Sequence, residues 1–140
     1  MRLMGFTFPA SNRYYAIDLT RIYRIEAGVP IHPMPWAVPE LLGICRIREW
    51  IVPVIHLRQL LHDTGVSRAE VVIVYVEGDR MVAFPVAGVT GSFGRNEIRK
   101  VVRQTQSPER PFLLHTTLGV FHFVDMKYIL VQRLQPLWQT

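Results

Sequence analysis

Short runs of β-branched and aromatic residues follow one another so closely in this sequence that few crossover helices fit between them. They fall at residues 3–8, 14–18, 22–25, 44–47, 51–55, 71–76, 81–86 and 120–124, with turn-forming residues between them. Parallel neighbours need a connection of about a dozen residues or more, so this spacing predicts antiparallel hairpins and small barrels rather than a parallel α/β sheet. "EGDR" at 77–80 predicts a hairpin turn between "VVIVYV" and "MVAFPV", with Gly78 and Asp79 supplying the backbone freedom.

Helical signals are few. "PELLG" at 39–43 has Pro at a first helical position and Gly just past the last turn, which predicts a single-turn helix. "DMKYILVQRL" at 125–134 opens on Asp125, a good N-cap, and sets Ile129, Leu130 and Leu134 along one side; this predicts a closing helix stopped by Pro136. "VPIHPMPWAVP" at 29–39 reads as an extended loop, because proline fixes φ and removes backbone donors. Its Trp36 is read as a lid over the core or, alternatively, as an anchor for a partner. Polar, glycine-containing "HDTGVSRAE" at 62–70 is the expected junction between two halves of similar strand content.

A chain of 140 residues, 49% hydrophobic and 19% charged, suits one packed domain rather than a disordered segment. The single cysteine, Cys45, excludes an intramolecular disulfide and, sitting in an apolar run, reads as a buried, inert thiol. No stretch approaches the roughly 18 apolar residues of a membrane span, and the first residues lack the layout of a signal peptide, so the expectation is a cytoplasmic protein without membrane insertion. The net charge of +5 raises nucleic acid as a partner, yet Lys and Arg are dispersed except in "RNEIRKVVR" at 95–103. Arg95, Arg99 and Arg103 share a face if that stretch is helical; a solvated loop or turn is the plainer reading, and no nucleic-acid partner is expected.

Catalytic patterns are missing from the sequence. There is no Gly-x-Ser-x-Gly elbow, Walker loop or Cys-x-x-Cys pair, and "GVTGSFG" at 88–94 lacks the Lys-Ser/Thr ending of a phosphate cradle. The five histidines form no His-x-x-x-His pair. His115 and His122 can meet across neighbouring strands, with surface or hydrogen-bonded histidines as the plainer reading. The expectation is a non-catalytic protein with no cofactor and no metal.

The stretch "ELLGICRIREWIVPVIHLRQLL" at 40–61 resembles the signature of the CheW family, in which a Gly, an Ile/Leu-rich strand, an Arg-Gly turn and a Pro-Val-x-Asp-Leu strand follow in order. "YYAIDLTRIYRI" at 14–25 is similar to the family's opening, "VVIVYVEGDRMVAFPVAGV" to its second hairpin and following strand, and "GVFHFVDMKYIL" to its closing strand and helix. The resemblance covers about residues 3–130 and rests on the order of these segments rather than on any one of them.

What the resemblance implies is an all-β domain of two five-stranded SH3-like barrels packed on a shared hydrophobic core. Its lobes are expected at residues 1–62 with 126–140, and at 63–125. It implies a non-catalytic adaptor that couples a chemoreceptor's cytoplasmic tip to a CheA-type histidine kinase, in chemotaxis or in pilus or surface motility. The alternative is a diverged interaction module with another signalling partner. Residue by residue, the family's partner-facing positions fall on Ile22, Arg24, Ile25 and, at the signature arginine, Arg48; Leu42, Gly43 and Ile47 shape the same groove or simply pack the core, and Glu49 completes the turn.

Four positions depart from the family pattern: Arg24 stands for Glu, Glu49 for Gly, His56 for Asp and Ala87 for Asp. A swapped Arg24–Glu49 ion pair is expected in place of the family's Glu–Arg pair. Glu49 lacks glycine's tolerance for positive φ, so another turn geometry or strain is expected there. His56 for Asp is expected to weaken the cap of the short helix after it.

Overall fold

The computed structural model describes residues 1–35, 38–65 and 71–138. In chain order the strands are β1 (Arg2–Thr7), β2 (Tyr14–Asp18), β3 (Ile22–Ala27), β4 (Leu41–Ile47), β5 (Trp50–Ile55), β6 (Val71–Glu77), β7 (Arg80–Val86), β8 (Gly88–Gly94), β9 (Ile98–Arg103), β10 (Phe112–Thr116) and β11 (Gly119–Phe123). A short helix α1 spans Leu57–Leu60, and α2 begins over Met126–Tyr128. The chain forms two compact units. The first comprises Met1–Thr7, Asn12–Thr20 and Val89–Thr140, the second Phe8–Ser11 and Arg21–Gly88.

In the first unit six strands lie in the order β8-β1-β2-β11-β10-β9. The pairs β1/β2, β9/β10 and β10/β11 are antiparallel, whereas β2 and β11 run parallel. Tyr15, Ala16 and Ile17 on central β2 are all buried, so this strand reads as an unbroken apolar run rather than an alternating one. Leu3, Ala16, Phe93, Leu114 and Phe121 form a core, with Phe93 and Phe121 rings 4.9 Å apart. The expected closing helix is present: the Asp125 carboxylate accepts the Tyr128 N–H at 3.0 Å, and Ile129, Leu130 and Leu134 are buried. It widens to a π-helix over Ile129–Arg133, where the Leu134 N–H reaches the Ile129 carbonyl.

In the second unit five strands lie in the order β3-β6-β7-β5-β4, antiparallel except for the β5/β7 contact. Cys45, Ile47, Val52, Val54, Val72, Val74 and Ala83 make its core. The expected hairpin between β6 and β7 is a two-residue loop, with Glu77 opposite Arg80 and Gly78 at φ +63°.

Several expectations give way. Residues 39–43 are not helical: the Leu41 N–H closes a turn onto the Val38 carbonyl, and Leu41 then enters β4 opposite Ile55, so sheet pairing claims the two leucines. The described part of 62–70 lies inside the second unit and does not divide the halves, because β6 and β7 return to pair with β3 and β5. Residues 98–103 form β9 rather than a loop or helix, and one sheet has six strands, not five. Strands β8, β9 and β10 are legible only weakly in sequence, where glycine in β8 and cations in β9 break the apolar pattern. Trp36 lies outside the described residues.

Candidate protein-interaction site

The sequence between β4 and β5 is too short for anything but a tight turn: Ile47 pairs with Trp50, leaving Arg48 and Glu49 as a two-residue loop. Arg48 carries φ +55° and Glu49 does not have positive φ, so the first loop residue takes a conformation that favours Gly. The strain expected at Glu49 therefore falls one residue earlier. Arg46 Nε donates to the Arg48 carbonyl at 2.9 Å and braces the turn. A left-handed conformation costs an L-residue roughly 1–2 kcal/mol. Arg48→Gly is accordingly expected to raise unfolding stability by about 1 kcal/mol, read by urea denaturation, while removing the guanidinium from the tip.

Around this turn, apolar surface is left in water. Trp50 is 51% exposed and Ile51 65% exposed, with Ile51 directly opposite Arg46 across the hairpin. Elsewhere in the same unit, β3 alternates so that Tyr23, Ile25 and Ala27 face out while Ile22, Arg24 and Glu26 are half-buried. Tyr23, Arg46, Trp50 and Ile51 were not among the partner-facing positions read from the sequence; the two-residue period of β3 pairs Tyr23 with Ile25 and is the signal that finds it.

The remaining sequence candidates separate into surface and interior. Ile47 is fully buried in the core, and Leu42 packs against that core. Gly43 lies beneath the 32–33 backbone, where His32 and Ile44 exchange both N–H···O=C bonds at 2.8 and 2.9 Å. These three shape the scaffold from within. The swapped Arg24–Glu49 pair does not form. Arg24 instead bonds Glu26, two residues on and on the same face, at 2.5 Å, and Glu49 has no ion pair among the described residues. Ala87 sits in a bend between β7 and β8.

His56 keeps its capping role. Its Nδ1 accepts the Gln59 N–H at 3.3 Å, a long but present cap of α1. Burial, aided by the Arg58 cation, lowers the His56 pKa against an opposing backbone hydrogen bond. With the folded pKa below the unfolded value near 6.5, the unfolded state binds more protons between the two. This contribution is therefore complete above that value and is lost as pH falls toward the folded pKa. Stability should decline between neutral and mildly acidic pH, and less so in His56→Asp, as measured by urea midpoints across pH.

Burial, with the Glu26 carboxylate adding to it, pushes the Cys45 thiol above its ordinary value, which suits an unreactive thiol. His115 and His122 lie opposite Val120 and Leu113, thus diagonal to each other, and His122 approaches Arg110 Nη1 at 3.2 Å. Among the described residues no three His, Cys, Asp or Glu side chains gather as a metal site. No described helix is long and apolar enough to cross a membrane.

This geometry sets a braced charged turn beside exposed aromatic and aliphatic groups. The scaffolding protein TtCheW from Thermoanaerobacter tengcongensis is a structural match at 16% identity, over 91% of this chain and 90% of that one, with a TM-score of 0.77. That likeness establishes the fold of two SH3-like barrels. No curated protein matches the sequence. A family model described as the CheW-like domain matches residues 4–127. With that match spanning most of its length, the chain belongs to the CheW-like domain family.

Proposed function

We propose that the chain is a non-catalytic adaptor that couples a chemoreceptor's cytoplasmic tip to a CheA-type histidine kinase, in chemotaxis or in pilus or surface motility. It works in the cytoplasm and reaches the membrane only through receptor arrays. The observation that carries the reading is the β4–β5 tip in a chain of this family: Arg48 projects from a strained, braced turn, with Trp50 and Ile51 exposed beside it. Strain held at a surface turn is a mark of functional constraint, and exposed aromatics supply large contact area. Ile25 and Tyr23 add an apolar strip suited to the side of a receptor helix, with Ile22 and the Arg24–Glu26 pair behind it. Glu49, unpaired among the described residues, is the polar group that sets register.

Co-sedimentation with chemoreceptor cytoplasmic fragments and a CheA-type kinase tests this. Arg48→Ala is expected to weaken capture by about tenfold with the circular dichroism spectrum unchanged. Capture of neither partner by the wild-type protein would refute the reading. A second reading, an interaction module with another signalling partner, is favoured by one observation: Arg24 is engaged by Glu26, so the family's pairing with the signature arginine is absent.

A further inference from the structure

The chain's net charge is not shared between its units. Nine Lys and Arg face four Asp and Glu in the first unit, and seven face seven in the second, so the whole +5 belongs to the first. Its four acids are all engaged internally. Asp18 accepts from Thr20, Glu97 from the Gly94 N–H at 2.8 Å, Asp125 from the Tyr128 N–H, and Glu109 pairs with Arg133. Arg95, Arg99 and Lys100 make no side-chain hydrogen bond or ion pair among the described residues, and Arg103 lies over the Phe112 ring at 5.5 Å.

Three of these cations sit on β9, which ends the six-stranded sheet and, among the described residues, pairs on one side only, with β10. Val101 pairs with buried Leu114 and so shares the core face, yet it is 55% exposed. The core face thus runs out one strand short. An unpaired edge with an uncovered apolar residue is a template for a further strand, and flanking cations select which strand it accepts.

We propose that the free edge of β9 docks an extended acidic segment of another protein, taken up as an added strand over Val101 with its carboxylates against Arg99, Lys100 and Arg103. This site lies in the first unit and is independent of the coupling reading. A second copy of the chain is disfavoured, because edge-to-edge pairing would set these cations against themselves. A nucleic acid would answer the charge but has no amide ladder to offer the edge.

The test is fluorescence anisotropy of the full chain with a labelled Glu-Val peptide, one central Val flanked by Glu residues on both sides so that carboxylates fall on both faces, long enough to span β9. Amide hydrogen exchange of the same mixture is the second readout. Expected are binding that weakens as salt rises, slowed exchange along β9, and a loss of at least about tenfold in Arg99→Glu/Arg103→Glu. The fully N-methylated peptide should not bind. Lys100→Glu alone supplies the charge test should the double variant fail to fold. Failure of the Glu-Val peptide to bind, or binding that survives charge reversal or N-methylation, would overturn the proposal. So would a single-stranded oligonucleotide of equal charge that binds as tightly and protects the same amides.

Discussion

Replacing Arg58 by Met is expected to destabilise the protein by about 3–5 kcal/mol, because it takes the cation away from a buried carboxylate. Arg58 and Asp63 are each only 7% exposed. Arg58 Nε donates to Asp63 Oδ1 at 3.2 Å and to the Asp63 carbonyl at 3.1 Å, and its Nη2 reaches the Thr64 carbonyl. The Ser11 hydroxyl donates to the other Asp63 oxygen at 2.6 Å, and the guanidinium lies 5.7 Å from the Phe8 ring centroid. One ion pair thereby fastens the N-terminal excursion Phe8–Ser11 and the loop after α1 to the same point in the second unit. The measure is urea denaturation of Arg58→Met, Asp63→Leu and the double variant. Since each single change leaves one buried charge without the opposite charge beside it, the double variant should lose less than the two singles summed. Additive losses would mean that the pair contributes no coupling.

Gly43→Ala should be nearly as damaging, at about 3 kcal/mol, through overpacking and dihedral strain together. A Cβ there would stand 2.2 Å from the His32 carbonyl oxygen and 2.8 Å from its carbon, both backbone atoms that the His32–Ile44 bridge holds in place. Gly43 also has φ +156° at a bulge in the β4/β5 register. Gly78→Ala is the control: it has φ +63° but open space around it, so only the conformational cost of about 1 kcal/mol applies. Thermal or urea denaturation that ranks the two equally would remove the close approach from the account.

These two effects mark the boundary of what was legible in the sequence. The strand rich, helix poor character, the "EGDR" hairpin and the Asp125 cap rest on local chemistry, and each is present in the structure. The interleaving of the units was not legible. It depends on which strands return to pair, and loop composition at 62–70 is silent about that. Arg58 passed unnoticed inside "LRQLL" because the groups that bury the Arg58–Asp63 pair, Phe8 over the guanidinium and Ser11 on the Asp63 carboxylate, lie far away along the chain. For Ile47 and Leu42 the sequence left groove and core both open, and strand alternation and the bulge turn them into the core. The Arg24–Glu49 pairing failed for a local reason, since a same-face carboxylate two residues away claims the guanidinium first.

The central claim is that the β4–β5 tip and the outer side of β3 receive a receptor. Amide chemical-shift mapping of the labelled chain, titrated with a chemoreceptor cytoplasmic fragment, tests it most directly. The account predicts that perturbations concentrate at residues 23–25 and 46–51 and that Arg48→Ala abolishes most of them. Perturbations that spare both segments, or none at all at saturating fragment, would contradict it.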